Sequence, residues 1–391
     1  MTDVRMNVSL IFGGVDGASV FPLEIPPADF SPAMLVQSVM RGKDPFGTFQ
    51  NVGVNAAGAM LNSDFGTEVA RGLYTGYEIV RKFGRNEDID TGTTPEDVFN
   101  GGGTYTGLNG TSNENIAIVS ASANDTGTAV TSGTTTGGSA TTLTDSSATF
   151  ITDSVAVGDT VLLDSVGYHG FVASIDSETQ LTVHNWLNGD TSNYTLASGV
   201  TYRIARATGT GAAVVRLSRI VDEDFNAQIP QYAIMNGLIT VTVSVDAIRC
   251  STARVITAGS NGVNVGDITA NMATTTANVY FEMPTIGRTL VAASTIPRGK
   301  NAIMKKTQVA ITRASGTAGS ATVYLYVRER GSGAFTALKV YELQTGGGIT
   351  RLDIGGDVLL GGTDYKFTVG QVSDNNTICE VEAEYFLIDE S

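Results

Sequence analysis

Two histidines and two cysteines in 391 residues leave little material for side-chain chemistry. Zinc takes three or four ligands, and no cluster of His and Cys exists, so catalysis on a His- or Cys-bound metal is excluded. A Ser–His–acid triad would have to take its base from the one acidic region that holds both His169 and His184. No G-x-S-x-G elbow accompanies them. The nucleotide-binding fingerprints are missing too: Gly101-Gly102-Gly103 opens no helical pattern, and the glycines at 346–348 read as a hairpin turn. Acids are abundant and glycoside hydrolysis needs only two, but no pair stands out. Cys250 and Cys379 are too few and too distant for a disulfide framework, and both are expected as free, buried thiols. The chain reads as a non-enzyme without a cofactor.

Charge is also scarce. Only 16% of residues are charged, and the net charge is −15. No basic stripe interleaved with aromatics appears, which argues against nucleic acid as a partner. No apolar run reaches the length of a membrane span. The first residues lack the basic start and unbroken apolar core of a signal peptide, so synthesis and assembly in a cytoplasm are expected. The acids are unevenly placed: net −8 over 1–132, −6 over 133–205, −1 over 206–284 and 0 over 285–391.

Long runs of Leu, Glu, Lys and Ala are absent, so long helices are not expected. What dominates is Thr, Ser, Ala, Val and 46 Gly, with 42% apolar residues: turn-rich β structure, too apolar for disorder. At this length two or three domains are expected. Residues 1–67 carry five prolines between Pro22 and Pro45 and read as an irregular N-terminal arm. A strand at 6–12 and a short helix over 31–42, capped by Ser31-Pro32 and stopped at Gly42, are its regular elements. The arm packs either on its own chain or on a neighbouring subunit.

Residues 68–132 with 206–283 read as a first β domain, a sandwich or jelly-roll-like unit whose apolar signals all have a period of two. Leu238–Asp246 is its cleanest strand, flanked by Asn236-Gly237. Residues 133–205 hold five short strands separated by Gly-Asp, Asp-Ser and Asn-Gly turns, the pattern of a small β-barrel module. Trp186, the only Trp, either plugs this barrel or forms an exposed contact with Tyr168 and Tyr194. Residues 284–391 give about seven strands, a C-terminal β-sandwich. There Val323, Leu325 and Val327 share one face, while Tyr324, Tyr326 and Arg328 share the other, either an interface set or a half-exposed sheet face.

The stretch Glu68–Gly107 swaps strand pattern for turn chemistry at Gly84 and ends in three glycines followed by Thr104-Tyr105. Its pattern VARG…KFGRN…D…T…ED…GGG.Y, with the SANDT of residues 122–126 and the GTGA of 209–212, resembles a family of tailed-phage virion structural proteins. In that family ANDT and GTGA are near neighbours, so 133–205 is expected to be an insertion whose ends lie close together. The resemblance implies a structural role: most directly capsid decoration or cement on the outer surface of the virion, bound to the major capsid protein as a homo-oligomer. A tail, baseplate or fibre-attachment component, or a receptor- or carbohydrate-binding module, is the alternative. Arg71, Arg81, Lys82, Phe83 and Arg85 form the candidate assembly interface, facing either a neighbour's acids or the acids of their own loop. Asp88, Asp90 and Asp97 are a candidate Ca²⁺ loop whose spacing departs from the EF-hand.

Overall fold

The computed structural model describes residues 41–43, 49–51, 77–92, 94–188, 191–192, 194–313, 320–344, 349–352, 357–373, 375 and 377–390. Every regular element among them is a β-strand, so the chain is all-β with several antiparallel sheets. It divides into two units, Met1–Thr75 and Gly76–Ser391. Of the first, one hairpin is described: Arg41–Lys43 pairs antiparallel with Phe49–Asn51. Arg41 and Gly42 were expected to end a helix. They lie in a strand instead, their backbone groups facing the second strand of the hairpin. The rest of that helix, the strand at 6–12 and Arg71 lie outside the described residues.

In the second unit the C-terminal sandwich is built from two sheets. One runs Ile349–Leu352, Lys300–Arg313, Thr377–Asp389, Tyr77–Ile89, with Val358–Leu359 added to Lys300–Arg313. The other runs Ala293–Thr295, Asp364–Gly370, Ser320–Arg328, Thr336–Gln344, with Glu96–Asp97 beside Asp364–Gly370. Val323, Leu325, Phe367, Val381 and Tyr385 fill the space between them, as the alternation of these strands dictates. The stretch 77–98, assigned by sequence to the first β domain, belongs here. Tyr77–Ile89 lies along Thr377–Asp389 from Tyr77↔Ile388 to Ile89↔Thr377. Val80, Ile89 and Val98 then close the same core.

Gly84 does not break that strand, contrary to its reading as a turn. It sits mid-strand opposite Val381. A Cβ there would lie 2.3 Å from the backbone nitrogen of Ala292 and 2.6 Å from the carbonyl of Val98. The glycine is a close-approach residue, which local pattern cannot distinguish from a turn.

The central sandwich sets Val241–Ala247, Glu114–Ser120, Ile268–Met272 and Val279–Met283 against Gln231–Ile234, Ala212–Val221 and Arg249–Ala258. Ile116, Ile118, Leu217, Met235 and Phe281 form its core. Cys250 is buried here and Cys379 in the C-terminal core, both as free thiols. Burial pushes the Cys250 thiol up to about 12 and that of Cys379 higher still.

Between Glu114–Ser120 and Ala212–Val221 the chain makes a small closed barrel. Gly127–Thr134 pairs with Thr201–Ala207, followed in order by Thr160–Leu163, Tyr168–Ser177, Gln180–Val183, Thr142–Thr144 and Gly137–Gly138. The first and last strands are the two ends of one segment, so the sheet closes on itself, with the Thr136 amide donating to the Thr144 carbonyl at 2.8 Å. Trp186 is 1% exposed in its core and donates from Nε1 to the Ser139 carbonyl at 3.0 Å, so it is a plug. Tyr168 and Tyr194 stack on each other at 4.4 Å, half-buried.

The ends of this module lie side by side, Gly127 opposite Ala207 and Thr131 opposite Ile204. It is not a free projection, however. Ala205 and Leu162 pack on Ala213, Val214 and Tyr232 of the central sandwich. The Tyr232 hydroxyl donates to the Gly167 carbonyl, and Arg203 joins Asp164 to the Tyr232 carbonyl. At this seam burial and the charges of Arg216 and Arg254 hold His169 down to about 4, so it is neutral near pH 7.

Excising Gly127–Ala207 and linking Thr126 to Thr208 through two glycines should leave a cooperatively folding protein. The Thr208 amide already donates to the Thr126 carbonyl at 3.1 Å. Calorimetry is expected to show one sharp transition at lowered temperature, because Val214 and Tyr232 lose their cover. A chain without a cooperative transition would show that the module is integral to the fold.

Candidate functional site

The sequence-derived interface does not lie on one surface. Alternation along Tyr77–Ile89 turns Arg81, Phe83 and Arg85 to one face and Lys82 to the other. Arg81 pairs with Glu384 on the adjacent strand at 2.7 Å, with its side chain 71% exposed. Arg85 pairs with Glu87 at 3.0 Å and with Glu380 at 3.3 Å. The acids of the neighbouring strand thus carry most of the neutralisation that was expected from the following loop. Phe83 is half-buried beneath the guanidinium of Arg288, 5.2 Å from its ring centroid.

Lys82 points into the chain. It is 3% exposed, and its ammonium donates to the Ser251 carbonyl and to the Thr252 hydroxyl at 3.0 Å, both on Arg249–Ala258 of the central sandwich. Burial, then the nearby Arg219, pull its pKa down to about 7. Arg219 itself reaches across to Glu78 on the same strand. The basic cluster therefore splits between an outer ladder and a buried seam joining two sandwiches.

That seam has a second, larger polar centre which sequence reading missed. Asp364, 2% exposed, accepts from Arg249 at 3.1 and 3.2 Å, from Arg328 at 2.6 Å, and from the Thr295 hydroxyl. Arg249 also donates to the Gly110 and Ile248 carbonyls, and Arg328 to the Leu108 carbonyl. Arg328 was expected on the outer face with Tyr324 and Tyr326. The two tyrosines do stack there, at 5.5 Å, while Arg328 is drawn over Phe335 toward Asp364. Nothing in the spacing of residues 249, 328 and 364 announces this contact.

The candidate Ca²⁺ acids are not brought together. Asp97 is 2% exposed, and its carboxylate accepts from the Tyr105 amide, the Lys366 ammonium and the Thr368 hydroxyl. Asp88 and Asp90 remain outside with their amides on Asn86 and Glu96. Among the described residues no group of three or more His, Cys, Asp or Glu is placed to hold a metal.

The motif SANDT has a definite job. Asp125, 0% exposed, accepts from the amides of Ala212 and Val265 at 2.7 and 2.8 Å on one oxygen. Its other oxygen accepts from the Gly266 amide at 2.9 Å and from the Ser120 hydroxyl. The Gly211 amide donates to Asn124, and those of Thr208 and Gly209 to Thr126. A Cβ on Gly209 or Gly211 would fall about 2 Å from the Asn124 carbonyl or the Asp125 carboxylate. ANDT and GTGA are thus one hydrogen-bonded knot, which the resemblance, and not their spacing in this chain, had pointed to.

No protein-family model matches the chain, and no curated protein sequence matches it either.

Two outcomes follow from this geometry. Asp125→Ala strands three amides and a hydroxyl in a dry site and should cost about 3–5 kcal/mol of stability, with Asp125→Asn costing less; urea denaturation measures both. Lys82 concerns pH. Its folded pKa of about 7 lies below the unfolded value of 10.5. The unfolded chain therefore binds the extra proton between these values, and stability should rise with pH by up to about 1.4 kcal/mol per unit there. Lys82→Met should remove that contribution and be more stable than the parent at pH 7; identical pH slopes in parent and variant would show that Lys82 is not the group responsible.

Proposed function

We propose that this chain is a non-enzymatic structural protein of a tailed-phage virion, working as a capsid decoration or cement subunit against the major capsid protein. The observation that carries this reading is the job of the resembling residues. Asp125, Gly209, Gly211 and Gly84 hold interlocked β units at close approach. They present no reactive group to solvent. Residues of that kind suit a rigid part that acts by contact, and a shell gains strength from weak contacts repeated over many copies. The same argument favours a homo-oligomer.

The contact surface best supported is the outer face of the Tyr77–Ile89 sheet. Arg81 and Arg85 there form a ladder with Glu384 and Glu380. Such exposed pairs contribute at most about 1 kcal/mol to folding, so they are available to exchange partners with a neighbouring subunit. Lys82 is excluded from this surface by its burial, and Arg71 lies outside the described residues.

Replacing Arg81 and Arg85 together with Ser should leave the unfolding temperature nearly unchanged and lower the protein's occupancy on purified particles, measured by quantitative mass spectrometry. Reconstruction of the particle should place the chain at icosahedral shell positions. Normal occupancy of the double variant removes this face from the interface, and density confined to the tail axis replaces decoration by a tail role.

A further inference from the structure

We propose that a row of three arginines across the central sandwich docks an acidic segment of a partner protein. Arg216 on Ala212–Val221 stands opposite Arg254 on Arg249–Ala258. Arg254 in turn stands opposite Arg288. Arg288 lies in a segment that runs beside the same strand, with the Thr289 amide donating to the Ala253 carbonyl and the Val255 amide to the Gly287 carbonyl. Residues directly opposite each other in antiparallel strands share a face. Three guanidiniums thus lie side by side on one surface of a chain whose net charge is −15.

Like charges directly opposite each other destabilise a sheet, and the chain does little to offset these. Arg254 and Arg288 are exposed, and among the described residues neither side chain has a hydrogen bond or an ion pair. Arg216 is half-buried and donates to neutral groups, the Asn188 side-chain oxygen and the Tyr232 hydroxyl. The acids on either side are engaged elsewhere. Asp164 of the barrel module is held by Arg203 through two bonds of 2.7 Å. Glu380 is paired with Arg85, and Glu384 with Arg81 and Lys305. The positive field is felt nearby: after burial, Arg216 and Arg254 are what hold His169 neutral.

The surroundings select a polypeptide over a long polyanion. The row crosses strands about 5 Å apart. It ends at Phe83, which stands opposite Glu382 and between the strand positions opposite Glu380 and Glu384. A nucleic-acid backbone continuing past the row would meet those glutamates. A short extended segment with acids at alternate positions carries its carboxylates about 7 Å apart on one side, within reach of neighbouring arginines. Each guanidinium offers a carboxylate a two-pronged fork. Arg288 is already restrained, its guanidinium 5.2 Å from the centroid of the Phe83 ring, so less freedom is lost on pairing. Phe83 also makes the row continuous with the outer face of Tyr77–Ile89.

The test is titration of the isolated full chain with a short labelled peptide of alternating Glu and Thr, read by fluorescence anisotropy and calorimetry at low salt. A Gln–Thr peptide and a single-stranded oligonucleotide of similar length serve as controls. The Glu–Thr peptide should bind best, and added salt should weaken it. The double variant Arg254→Gln with Arg288→Gln should lose roughly tenfold or more in affinity. Arg254→Gln alone removes the middle charge, so its unfolding temperature should hold or rise, which separates docking from folding. No binding of the Glu–Thr peptide, equal binding of the Gln–Thr peptide, or unchanged affinity in the double variant overturns the proposal. A lowered unfolding temperature in Arg254→Gln does so too, since it reveals a partner within the chain. Tighter binding of the oligonucleotide replaces the acidic segment by nucleic acid.

Discussion

A single dry carboxylate holds the parent fold together where the barrel module interrupts it. Asp125 gathers the hydroxyl of Ser120 just before it and three amides from two segments remote in sequence, Ala212 and Val265-Gly266. Carboxylate oxygens accept several hydrogen bonds each, so one side chain satisfies backbone groups that would otherwise be buried without partners. The glycines opposite it are needed because the segments approach to backbone contact. The strand Ala212–Val221 resumes the central sandwich directly after the 81-residue excursion, with its register against Arg249–Ala258 shifted at Ala212–Val215 and regular beyond.

The seams joining the module and the two sandwiches differ in kind. The module rests on the central sandwich through a small apolar patch around Val214 and Tyr232, with a neutral histidine beside it. The central and C-terminal sandwiches meet around Asp364 with two arginines, and around Lys82, whose ammonium donates to a carbonyl and a hydroxyl. The first arrangement compensates buried charge with charge, whereas burial and the nearby Arg219 pull Lys82 down to about 7. Strand Tyr77–Ile89 takes part in both a sheet and a seam, with its odd-numbered basic residues outside and Lys82 within.

Period-two alternation made much of the architecture legible. Val323 and Leu325 point inward and Tyr324 and Tyr326 outward, as their spacing requires. The placing of the interruption between ANDT and GTGA came from the resemblance and not from pattern within this chain. Pattern failed at Gly84, where a glycine chosen for clearance from Ala292 looks the same as one chosen for a turn. It failed again at residues 77–98, because strand pairing with Thr377–Asp389 spans nearly the whole chain and leaves no local mark.

The sequence by itself determined the class of structure: all-β, poor in groups for chemistry, with short strands set by turn residues. These are local properties, fixed by side-chain period, backbone allowance and composition. Only the tertiary structure decided which strands share a sheet, which of the neighbouring bases Arg81 and Lys82 meets solvent, and that Arg249, Arg328 and Asp364 surround one cleft. The physical reason is that long-range pairing and burial depend on the summed fit of whole faces, and no single residue carries that information.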